Sequence, residues 1–143
     1  MSGQVRNFFH SSQVTGATAL STSFSAVRTH NLTAGLPAFM QSRTSWLGFL
    51  ESLSAQVTTI AGGATSLIVR VTKDVTGDEC IIPDTTATIS TGVTTATSGS
   101  VVFSSGVGLG NYNPTQADAI VYVWVKTNAG TAVLTESTLI WRE

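Results

Sequence analysis

From about Leu36 onward, apolar and polar positions follow one another as short β-branched runs broken by glycine and polar turns, the pattern of strands rather than helices. The clearest run is Ile120 to Lys126, IVYVWVK, which the turn TNAG separates from Thr131 to Trp141, TAVLTESTLIW. Two such runs joined so tightly predict a β-hairpin. In the second, Val133, Thr135, Ser137 and Leu139 share one face, and Leu134, Glu136, Thr138 and Ile140 share the other. Neither face is cleanly polar, as expected of a sheet covered on both sides. Upstream, Ser66 to Thr72, SLIVRVT, reads as a strand between two turns. Glu79 to Ile82, Thr86 to Ser90 and Ser100 to Ser104 follow, with Gly92 and Gly99 as breakers. Pro83 has no backbone donor and is expected at a strand end or a sheet edge.

Two segments break the pattern. In Ser45 to Val57, SWLGFLESLSAQV, Trp46, Leu50, Leu53 and Val57 keep helical spacing and Ser45 suits a helix cap. Gly48 in the first turn and strand-like sequence on both sides favour a strand. Residues 1–35 have a different texture, rich in Ser, Thr and Ala with few large apolar groups. They read as an extended arm preceding a domain of residues 36–143. Within the arm, Leu20, Phe24 and Ala26 alternate, so residues 17–27 are expected to pair as a strand once an edge is supplied. Phe8 and Phe9 form an isolated aromatic pair. Some eight strands with almost no helix predict an all-β fold: a two-layer antiparallel sandwich of jelly-roll or immunoglobulin-like topology.

Composition adds a surface to this outline. Of 143 side chains only 7 are Lys or Arg and 8 Asp or Glu, 10% charged in all, while 40 are Ser or Thr. A typical soluble domain is about 25% charged. Hydroxyls, glycine and small apolar groups lose little rotamer freedom and shed little hydration when covered, so such a surface is easily buried against another protein. A net charge of −1, with no two basic residues adjacent, argues against direct nucleic-acid binding, which needs clustered Lys and Arg. The start, MSGQVRNFFHSSQ, has no continuous apolar core and does not read as a secretory signal, and no run approaches the ~18 apolar residues of a membrane span. Folding in a cytoplasm is expected. Cys80, the single cysteine, excludes an intrachain disulfide.

Candidate chemistry is sparse. His10 and His30 both fall in the arm, outside the expected core, with no acidic neighbour to orient them, so no catalytic triad is assigned. Cys80 and two distant histidines have no zinc-ligand spacing. Asp74, Asp78, Glu79 and Asp84, in KDVTGDECIIPD, gather half of all the carboxylates; calcium suits such a loop, but the EF-hand spacing is absent and a solvated turn accounts for it. Trp124 and Tyr122 lie inside an apolar run and read as core residues. Tyr112, in GLGNYNPTQ, is the better candidate for an exposed ring. Cys80, beside Ile81 and Ile82, reads as a small core residue. No catalytic residue, cofactor or metal site is assigned.

With the low-charge arm, the single sandwich and the loops DTTATISTGVTTATSGS and SSGVGLGNYNPTQ taken together, the chain resembles small single β-sandwich structural proteins of viruses and tailless phages. The resemblance implies a non-enzymatic particle component (capsid, penton, spike base or decoration) located in the virion and made in the host cytoplasm. Its expected partners are copies of itself and other particle proteins, as a homo-oligomer. The arm would serve assembly through Phe8, Phe9, Leu20 and Phe24. It departs from the Arg-rich arms of many capsid proteins in carrying only Arg6 and Arg28, which argues against a genome-holding role. The alternative is a carbohydrate-binding or adhesive β-sandwich module, with Tyr112 or Trp46 exposed.

Overall fold

The computed structural model describes residues 9–31, 49–91, 97–104 and 120–142. They form nine strands: β1 (Phe9–Leu20), β2 (Ala26–Asn31), β3 (Phe49–Ala61), β4 (Ser66–Thr72), β5 (Cys80–Thr88), β6 (Ser90–Thr91), β7 (Gly99–Ser104), β8 (Ile120–Thr127) and β9 (Thr131–Arg142). A five-stranded sheet has the order β1-β9-β3-β7-β6 and a four-stranded sheet the order β2-β8-β4-β5. The two sheets make an all-β, two-layer antiparallel sandwich, as the strand pattern predicts.

The pairings are nested. β4 and β5 pair as neighbours, β3 pairs β7, β2 pairs β8 and β1 pairs β9, so the chain doubles back on itself like one long hairpin. That ribbon is wound so that β3 also meets β9 and β4 also meets β8. Nested pairing rolled into two sheets is the jelly-roll arrangement, and it decides between the two topologies left open by the sequence. Segment 49–57 is strand, within β3, and Pro83 sits in β5 at the edge of its sheet.

Three expectations change. β8 and β9, expected to form a hairpin, belong to opposite sheets: the turn after Thr127 is an arch over the end of the sandwich. Asn128 fixes it by accepting from the backbone N–H of Thr65 and Ser66, both at 3.0 Å, in the neighbouring β3–β4 arch. The arches touch so closely at Gly130 (φ 62°) that a β-carbon there would lie 2.1 Å from the carbonyl oxygen of Ala61. Second, residues 17–27 are not one strand. β1 ends at Leu20, the hydroxyl-rich turn Ser21–Ser25 crosses between the sheets, and β2 starts at Ala26; Ser21 Oγ accepts from the Ser23 N–H at 3.3 Å, bending the chain locally. Third, the stretch expected to project as an arm supplies β1 and β2, which pair with this chain's own β9 and β8. Residues 1–8 and 32–35 lie outside the described residues.

Alternation along each strand fills the core. Val121, Val123 and Val125 of β8 face Leu53, Ala55 and Val57 of β3 and Leu134 and Leu139 of β9, all at most 2% exposed. Cys80 is exposed rather than buried. The reason is a register irregularity: Val71 pairs Ile82 while Thr72 pairs Cys80, so one extra residue turns Cys80 outward and leaves the core position to Ile82.

Candidate functional site

The two long margins of the sandwich are closed in different ways. On one, the chain passes from β5 to β6 at Ile89, and Ile82, Ile89, Val101 and Phe103 pack there as an apolar seam. On the other, it passes from β1 to β2, and beside Ala26 the groups facing inward from β2 are Arg28 (7% exposed) and His30 (0%). Arg28 donates to the carbonyls of Thr15 at 3.2 Å, of Gly16, and of Leu134 at 3.2 Å. These acceptors are free because β1 bulges between Thr15 and Thr18, where Gly16 has φ 124°. Burial lowers the Arg28 pKa, and among the described residues its Nε has no partner. The guanidinium thus bolts both sheets to an interruption in β1.

His30 completes the bolt. Its Nδ1 lies 3.1 Å from Ser12 Oγ and its Nε2 2.9 Å from Ser137 Oγ. Burial above all, and the charge of Arg28, push its pKa down to about 4. A hydroxyl at hydrogen-bond distance from an imidazole is the spacing of a nucleophile and its base, but His30 and Ser137 are both fully buried and a second hydroxyl, not a carboxylate, holds the other ring nitrogen. Neither can meet a substrate. The expectation that His30 lies outside the core is corrected: the inward positions of β1 before Leu20, namely Ser12, Val14 and Thr18, are small or polar, so the space opposite them takes long polar side chains from β2. His10 lies in β1.

The outer faces differ as much as the margins. On the four-stranded sheet, Tyr122, Trp124 and Lys126 of β8 are half-buried and point away from the core, correcting the core assignment for both aromatic rings. Trp124 is roofed by the 73–79 loop: its Nε1 donates to Thr72 Oγ1 at 2.9 Å, and a β-carbon on Gly77 would stand 3.4 Å from its ring. That loop holds most of the acidic cluster. Asp74 accepts from the N–H of Glu79 at 2.7 Å and of Asp78 at 3.2 Å, and from the Thr76 hydroxyl. The Thr76 bond, followed by these backbone bonds, holds its carboxyl down to about 2. Asp84 stands apart and takes a two-pronged ion pair from Arg70, at 2.6 and 3.2 Å, which lowers its pKa. Among the described residues, no group of three or more His, Cys, Asp or Glu is placed to hold a metal ion.

Of the residues assigned to assembly, Leu20 is a core residue at 2% exposure, and Phe24 lies half-buried in the β1–β2 turn. Its ring is flanked by the Arg70 guanidinium at 4.8 Å and the Lys126 ammonium at 4.5 Å, a double cation–π contact within the chain. Phe9 lies in β1 opposite Arg142, and Phe8 is outside the described residues. Trp46 and Tyr112, the candidate sugar platforms, are also outside them.

The outer face of the five-stranded sheet is the part the sequence analysis did not isolate. Ser11, Gln13 and Thr15 of β1 stand beside Thr138 of β9 and Ser54 and Gln56 of β3, and the one charged side chain described among them is Glu136, which accepts from the Thr138 hydroxyl at 3.1 Å. Period-two reading of β1 alone would have found its share of this face.

No protein-family model matches the chain, and no curated protein matches it. Among solved structures it is similar to the tobacco streak virus coat protein, at 11% identity and a TM-score of 0.33 over 94% of this chain and 87% of that one. Cocksfoot mottle virus follows at 8% identity and 0.33, covering 94% of both chains. The VLP of the giant freshwater prawn Macrobrachium rosenbergii extra small virus stands at 9% identity and 0.30, over 99% of this chain and 84% of that one. A likeness this distant assigns no role to any residue.

Proposed function

We propose that the chain is a non-enzymatic structural component of a virus or phage particle, in which copies associate through the outer face of the five-stranded sheet. The observation that carries this is the face itself: several strands wide, made mainly of Ser, Thr and Gln side chains with the half-buried Ile140 and the exposed Val102, and with one carboxylate among its described groups. Covering it desolvates almost no charge and immobilises few long side chains. In this reading residues 1–8, with Phe8, and Phe9 at the start of β1 serve as an anchor on a neighbouring copy. Leu20 and Phe24 act indirectly, by holding the β1–β2 margin. Capsid, penton, spike-base and decoration roles all fit, and the virion is the expected location.

Static light scattering and electron microscopy of the purified chain test this. Assemblies of defined symmetry are expected. A variant without residues 1–8 keeps all nine strands and should assemble less well at unchanged circular dichroism. A wild-type chain that stays monomeric at millimolar concentration would sink the proposal.

A further inference from the structure

The described sandwich ends in four edge strands, and three are blunted. β6 has two residues, β5 carries Pro83 and Asp84, and β2 is a short strand carrying the inward-pointing Arg28, all recognised means of stopping strand-to-strand association. β1 has none of them. It is 12 residues long, FHSSQVTGATAL, without proline and without Lys, Arg, Asp or Glu. From Phe9 to Thr15 its register against β9 runs unbroken, a straight stretch of seven residues or about 23 Å. Beyond Thr15 the bulge and the Arg28 bolt take over. Alternate residues of an edge strand direct N–H and C=O away from the sheet, and no described strand meets those of β1.

We propose that the Phe9–Thr15 edge of β1 pairs antiparallel with the same edge of a second copy about a twofold axis, joining two five-stranded sheets into one of ten strands. This deepens the self-association proposed above and rests on it. A second copy is the fitting occupant for three reasons. A twofold axis makes one edge its own complement. Opposing two copies of this strand brings no like charges together. And the outward side chains Ser11, Gln13 and Thr15 are short and exposed, offering no apolar pocket by which a foreign peptide would be chosen. The join also sets the two sparsely charged outer faces side by side in one continuous surface.

The test uses the full chain in sedimentation velocity across a concentration series, with particle formation followed separately by light scattering. The double variant S11K/Q13K puts four ammonium groups along the twofold seam at outward, exposed positions; it should weaken dimerisation at least tenfold. T86K, at an exposed position of β5 in the opposite sheet, should leave the dimer intact. In the unmodified chain, amide hydrogen exchange over residues 9–15 should slow as concentration rises, a readout that stands even if a variant folds poorly. Dimers sensitive to S11K/Q13K without larger assemblies would keep the β1 pairing and remove the particle reading. Assemblies indifferent to S11K/Q13K, with exchange over 9–15 independent of concentration, would overturn the pairing and leave the particle reading standing. A monomeric wild-type chain overturns both.

Discussion

The β5–β6 margin is sealed by fat and the β1–β2 margin by a bolt. At the first, Ile82, Ile89, Val101 and Phe103 interlock without a polar atom among their side chains; at the second, Arg28 and His30 tie Ser12, Thr15, Gly16, Leu134 and Ser137 together by hydrogen bonds. Both exclude water. An apolar seam tolerates small shifts of register, because dispersion and hydrophobic burial have no direction. A buried guanidinium tolerates none, since each acceptor it misses is left desolvated and unpaired. The bolted margin therefore fixes how β1 lies on the sandwich, whereas the apolar margin fixes only that it is closed.

The largest break in this contrast is expected from Phe103→Ala, which opens a cavity in the apolar seam and should cost about 3–5 kcal/mol in urea unfolding. Arg28→Ala should cost roughly 3 kcal/mol by leaving three carbonyls unpaired, and Arg28→Lys should recover less than half of it, because an ammonium cannot reproduce the guanidinium fork. If lysine restores full stability, the margin is held by charge rather than by geometry.

Acid separates the margins without mutation. His30 has a folded pKa of about 4, below its ordinary value near 6.5, so the unfolded chain binds a proton that the folded chain refuses between these values. Stability then falls as pH drops from about 6.5 to 4, and roughly 2–3 kcal/mol should be lost between pH 8 and 4.5. Asp74, held to about 2, keeps its contribution through this window and loses it only lower down. His30→Gln should flatten the slope between pH 4.5 and 6.5, and a slope unchanged by it would assign the loss to another group. The smallest effect is expected from Asp84→Asn on β5: its pair with Arg70 is solvent-exposed and should contribute less than about 1 kcal/mol, in line with a margin closed by packing alone.

The same contrast explains what the amino-acid pattern reveals. β4, β8 and β9 are legible because their core positions hold Val, Leu and Ile; in β5, where Pro83, Asp84, Thr85 and Thr86 interrupt the apolar positions, the pattern reads as two short strands, Glu79–Ile82 and Thr86–Ser90, where the structure has one, Cys80–Thr88. β1 is not legible: its inward positions are Ser12, Val14, Thr18 and Leu20, too polar to register as a core face, and the arm reading follows from that. The partners that make this polarity tolerable, Arg28 and His30, lie across the sandwich, and no local period announces them. The β8–β9 arch reads as a hairpin for a related reason. TNAG is as good at an arch as at a hairpin, and only the long-range bonds of Asn128 to the β3–β4 arch distinguish the two. The sparsely charged outer face shows in the sequence only as a shortage of charge, since the strands that compose it are far apart along the chain.

The nested pairing also sets a schedule. Arg28 finds its last acceptor 106 residues downstream and His30 its hydroxyl 107 residues downstream. At roughly 5–20 residues per second of synthesis, the first two strands wait on the order of 5–20 seconds for the last two to be made. Contacts this remote also make closure slow. An unfinished chain thus has nothing on which to straighten β1, and no ordered edge to offer a neighbour. The winding that buries the core doubles as a check on completeness: only a chain finished through β9 acquires the surface on which the proposed association depends.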